Sequence, residues 1–325
     1  MLKPDDNVTA DDDRTIRIVP PSSRIHHRLL ITALTLGVVL AACFIAWTWL
    51  HAPAPNGSST APATQAGVGL DVPLADEAAI LAAQAPDMLV FRFRDAPAVL
   101  VLSFPSLRQQ GDMLDRVAAF VEKAGLPRDR VLTDQELDVA IREAGDTRQT
   151  YYDGHDYRAA DMARFFATAD RDGITLDAEE ARLRALLSRT GMLTPGAVGA
   201  LISIPPVAEA EQIDATSRAT ILHHELSHGV FFTDPAYAAY ARTFWQTVLN
   251  DAQRAGIRRF LSGEGYDTTN EDLILNEAQA FLVHTRDKRY FQPELAGLTE
   301  AEAAGLRENF VRGMPEGWLK AATQY

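Results

Sequence analysis

The sequence predicts an α+β fold, predominantly helical with a small sheet, preceded by one transmembrane helix. Three observations carry this. An apolar run without a charged residue spans Leu29 to Leu50, strand-like segments occur between Met88 and Ile204, and three helices follow from Thr216 onward. With 325 residues, 47% of them hydrophobic, the chain can bury a sizeable core. Its net charge of −13 argues against nucleic acid as a partner, because phosphate binding needs clustered Lys and Arg.

The apolar run 29–50 is expected to be the anchor. At about 1.5 Å per residue it spans roughly 30 Å of hydrocarbon. Trp47 and Trp49 lie near its end, where indoles favour the interface. Lys3, Arg14, Arg17, Arg24 and Arg28 precede it, and no Lys or Arg follows until Arg92. The positive-inside bias places 1–28 in the cytosol and the bulk of the chain outside, as in a single-pass protein of a bacterial inner membrane with a periplasmic or extracellular domain. Leu40-Ala41-Ala42-Cys43 also resembles a lipobox, but Phe44 to Trp47 continues the apolar run, which favours an uncleaved anchor. Residues 51–74, rich in Pro, Ala, Gly, Ser and Thr as far as Gly69, are expected to be a linker. The exported domain is expected over 75–325, with its sheet in 75–232 and a helical part in 233–325.

Met88 to Phe104 reads as two strands around Asp95-Ala96-Pro97. Phe91 and Phe93 alternate with Arg92 and Arg94, and the second run, Val99 to Leu102, is apolar throughout, as a central strand would be. A helix is expected at about 112–124. Thr133 and Glu136 form a capping box for the next helix, which ends near Gly145. Residues 161–188 read as two helices joined at Asp170-Arg171-Asp172-Gly173, and Leu201 to Ile204 as a short strand. The last three helices are expected at 216–232, 235–255 and 271–285.

The helix at 216–232 carries His224-Glu225-Leu226-Ser227-His228, an H-E-x-x-H pattern. Positions i and i+4 share a helical face, so the two imidazoles point at one place. Glu225 can act as general base toward a water on a bound metal. Cys43 is the sole cysteine, so no thiolate cluster is available and the metal must be held by histidines and carboxylates. A catalytic zinc takes three protein ligands and leaves one position open. Asp234 is one candidate for the third ligand, yet Asp234-Pro235 also reads as a helix N-cap followed by proline. Glu277 is the other. It lies in an apolar stripe with Leu273 and Phe281, where a carboxylate is rarely buried unless it is paired.

H-E-x-x-H followed at a distance by Asn276-Glu277-Ala278-Gln279-Ala280 resembles the gluzincins, zincin-superfamily zinc metallopeptidases with a thermolysin-like site. The resemblance covers two helices. It implies a zincin-like domain holding one Zn2+ per chain, with His224, His228 and Glu277 as ligands, Glu225 as base, and Leu201–Ile204 as the edge strand that pairs with an extended substrate. Many gluzincins carry an aspartate four residues after the ligating glutamate to orient a histidine, whereas this chain has Phe281. Metzincin-type zincins turn at a glycine to bring in a later ligand, and Phe231 occupies that position here.

His284, on the same face as Glu277, is a candidate for stabilising an oxyanion, with a hydrogen-bonded core role as its plainer explanation. His223 is rotated away from the metal. Tyr266 and the segment Tyr151 to Tyr157 are read as surface turns, with the alternatives that Tyr266 reaches the cleft and that the segment, with Asp153, His155 and Asp156, lines a substrate cleft or binds a second cation. The expected function is a membrane-anchored zinc-dependent metallohydrolase acting on peptide or protein, and the alternative is a non-catalytic envelope binding protein on the same fold.

Overall fold

The computed structural model describes residues 71–323. Its strands are β1 (Leu74–Ala75), β2 (Leu89–Phe93), β3 (Val99–Ser103), β4 (His155–Arg158) and β5 (Ala200–Ile204), in the order β1-β2-β3-β5-β4. The β2–β3 and β5–β4 pairs are antiparallel, and the β1–β2 and β3–β5 pairs are parallel. β3 is central and covered on both faces, which is why its run is apolar throughout. Leu100 and Leu102 pack into one core with Met113, Leu114 and Phe165, and Val99 and Val101 into another with Leu222 and Leu226.

Capping chemistry sets most helix boundaries. α1 (Glu77–Ala82) starts at the Asp76 cap and α2 (Leu107–Val121) at the Ser106 cap, five residues ahead of the expected Asp112. α3 (Asp134–Ala144) has the full Thr133–Glu136 capping box and ends on Gly145 at φ 85°, a conformation glycine adopts without strain. α4 (Ala159–Asp172) and α5 (Ala178–Arg189) flank Gly173. α6 (Ala215–Thr233) is capped by Asp214 and packs against β5 and β4. The helix expected over 235–255 is two: α7 (Pro235–Thr247) and α8 (Asp251–Gly263). Asn250 and Gln253 form a capping box that restarts the chain in a new direction. α9 (Glu271–Gln279) passes into a π-helical turn at Ala280–His284, and α10 (Glu300–Gly313) and α11 (Trp318–Thr323) close the described chain.

Two expectations are corrected. Where the sequence leads one to expect an α+β domain behind a transmembrane helix, the described residues form a mostly helical fold with a small mixed five-stranded sheet, and no described helix is long and apolar enough to cross a membrane. The run at 29–50, with Cys43 and the flanking 1–28, lies outside the described residues, as does the linker up to 70. Further, β5 is not an edge strand. It pairs with β3 on one side and β4 on the other, so β4 forms that edge.

Candidate metal centre

α6, α9 and β4 bring the site together. His224 and His228 face each other with their Nε2 atoms 3.0 Å apart. Glu277, on α9, places Oε2 at 4.0 Å from the first Nε2 and 3.7 Å from the second. A triangle with those three sides has a circumscribed circle of radius about 2.1 Å, the length of a zinc–nitrogen or zinc–oxygen bond. Both Glu277 oxygens are buried without a hydrogen-bond partner. A buried carboxylate left so is costly unless a cation completes it. These residues therefore fit a metal ion.

The histidines are oriented by neighbours. Thr285 donates its hydroxyl to the Ala280 carbonyl at 3.0 Å, so at 2.7 Å it accepts from His224 Nδ1–H. That tautomer leaves the His224 Nε2 lone pair facing the ligand triangle. Thr285 reaches this position through the π-helical turn, whose i→i+5 closure takes up an extra residue and returns the chain to the face carrying Glu277. The Phe281 ring packs on His224 at 4.7 Å between centroids, in place of a carboxylate. On β4, Asp156 brings Oδ2 to 3.6 Å from His228 Nδ1 and accepts a hydrogen bond from Asn276 at 3.2 Å.

Burial dominates the electrostatics. It holds the His224 pKa well below its ordinary value, reinforced by His228, and it lowers His228 to about 4. Both rings are neutral donors at pH 7, as metal ligation requires. Burial also raises Glu277 and Glu225, with Asp156 and Glu122 adding like-charge repulsion. Glu225 Oε2 is buried and unpartnered. Gly154, just ahead of β4, packs against Glu225 so closely that a Cβ there would lie 2.2 Å from Oε1.

His224 and Glu225 line a cavity of about 130 Å3 together with Lys123, Tyr151, Tyr152, Asp153, Tyr266 and Phe281, among others. Tyr151 to Tyr157 is therefore not a turn with exposed aromatics: it supplies cavity wall and then the edge strand, and Tyr151 is 4% exposed. Tyr266 is likewise drawn into the cavity, because its loop is bonded to the end of α2 through Ala124 N–H to Gly265 O and Asp267 N–H to Glu122 O, each at 2.9 Å. Asp234 lies elsewhere. It caps α7 by accepting from the N–H groups of Ala236 and Tyr237, and it borders a different cavity. His284 hydrogen-bonds the Tyr237 hydroxyl at 2.9 Å and the Thr323 hydroxyl at 3.2 Å, and is not among the cavity-lining residues. His223 approaches Glu77 and His284.

Asp156 and Thr285 are the partners that sequence reasoning missed. No family model, curated protein or solved structure matches the chain.

Proposed function

We propose that the domain is a zinc-dependent hydrolase of peptide bonds with a gluzincin-like site, in which His224, His228 and Glu277 would hold one zinc ion. The observation that carries this reading is the ligand triangle, with a buried, unpartnered Glu277 at one corner and Glu225 beside it on the cavity wall. When bound, the metal supplies an acidified water and an electrophile for a carbonyl oxygen.

The chain's own residues do the rest. Burial raises the pKa of Glu225, the direction that suits a group that accepts a proton and then delivers it to a leaving amine. Gly154 accommodates that carboxyl where any side chain would clash with it. Thr285 holds the His224 imidazole in place, and Asp156 lies 3.6 Å from His228 Nδ1. β4 ends the sheet beside Glu225. A purely structural metal site has no use for an unpartnered carboxyl at its cavity face, which favours catalysis over a binding module.

The test is cleavage of a peptide library by zinc-loaded wild type and Glu225→Gln. A loss of about 10²–10⁴-fold in turnover, with zinc retained, is expected from removing a general base. Equal turnover in the two proteins would overturn the reading.

A further inference from the structure

The cavity holds one cation that the mechanism does not use. Lys123, just past the end of α2, is 9% exposed, and its side chain borders the same cavity as His224 and Glu225. Its ammonium sits over two rings, 4.3 Å from the Tyr151 centroid and 4.1 Å from that of Tyr152. Those faces offset part of the desolvation of the charge but accept no N–H hydrogen bond in the ring plane. Among the described residues no carboxylate oxygen pairs with it and no acceptor hydrogen-bonds it. Glu122, Asp115, Asp146 and Glu264 act on it only at longer range. An aromatic path leads to it from the metal ligands: His224 packs on Phe281, Phe281 on Tyr266 and Tyr266 on Tyr152.

We infer that Lys123 binds a carboxylate of the substrate, making this site selective for peptides that carry a negative charge at a fixed step from the cleaved bond. The inference rests on the hydrolase reading for the word substrate, but the anion site itself stands on Lys123 and the cavity. A free C-terminal carboxylate and an acidic side chain share this chemistry. An ammonium on the cavity wall beside two tyrosines, with no carboxylate of the described chain paired to it, is completed by either.

The experiment uses the full chain as zinc-loaded Glu225→Gln, so that ligands persist, and measures binding by calorimetry. The probes are N-acetyl-trialanine, its C-terminal amide, and the amide with one alanine replaced by glutamate. At least one carboxylate-bearing probe is expected to bind tenfold or more tightly than the neutral amide, and the probe that does so identifies the source. Adding Lys123→Met is expected to erase the preference, and Lys123→Arg to restore part of it. Equal binding of all three probes, no binding by any, or an undiminished preference in Lys123→Met would overturn the inference. The acid-against-amide comparison in the Glu225→Gln background needs no change at Lys123, so misfolding of the Met variant does not remove the test. Zinc content of the same samples separates the two proposals. A Lys123-dependent preference in a protein that takes up no zinc keeps the anion site and sinks the metallohydrolase, whereas zinc and turnover without the preference sink only the anion site.

Discussion

Two buried carboxylates in this molecule meet opposite fates. Glu180, on α5, is 1% exposed and forms an ion pair with Arg116 Nε at 2.7 Å, while its other oxygen accepts from the Asp177 N–H at 2.9 Å. Arg116 is itself buried and also reaches the Leu132 carbonyl and Asp134. Glu277 is 0% exposed and both its oxygens lack a partner. One site carries its cation in the chain, and the other, on the reading proposed above, takes one from solution. Burial alone thus does not mark a functional carboxylate. Burial without a partner, facing two neutral imidazoles, is what the proposed reading rests on.

The contrast can be broken at either end. The largest stability effect is expected at the self-contained pair. Arg116→Met strands Glu180 and should cost about 3–5 kcal/mol in chemical denaturation, with or without zinc; a cost that depended on zinc would mean the two regions are not separate.

The pH responses come next. Burial lowers His228 from an ordinary 6.5 to about 4, so in the metal-free protein the unfolded state takes up a proton first and stability falls as pH drops from about 6.5 to about 4. Burial raises Glu180 from 4.5 to about 7 even against Arg116, so its contribution is complete below about 4.5 and is lost as pH rises toward 7. Each slope should amount to roughly 3 kcal/mol at the end of its window. His228→Gln should flatten the first and Glu180→Gln the second, as read from denaturation midpoints across pH.

A smaller effect is expected at Thr285. Its replacement by valine removes the acceptor for His224 Nδ1–H and should weaken zinc affinity about 10–100-fold, measured by competition with a chelator. Unchanged affinity would show that the π-helical turn does not orient the ligand.

Much of this was legible in the sequence. The H-E-x-x-H helix, the Thr133–Glu136 box and the central apolar strand follow from local rules, and Glu277 stood out as a carboxylate in an apolar stripe. What was hidden depended on tertiary geometry or on a departure from regular helix. Thr285 cannot be placed under His224 by counting in α-helical turns, because the π-helical turn changes the register. Asp156 lay in a stretch whose aromatics look like those of a surface turn until β4 pairs with β5. The break at Asn250 did have a local signal in Asn250-x-x-Gln253, overlooked within a long apolar periodicity.

The central claim is that Glu277 waits for a cation. It is tested most directly by thermal unfolding of wild type and Glu277→Gln, each stripped by a chelator and then titrated with zinc. Zinc at about a thousandfold excess over its Kd should stabilise the wild type by about 4 kcal/mol and the variant far less, and the stripped variant should be no less stable than the stripped wild type. Equal zinc stabilisation of both, none of either, or a stripped variant weakened as Arg116→Met is would contradict the account.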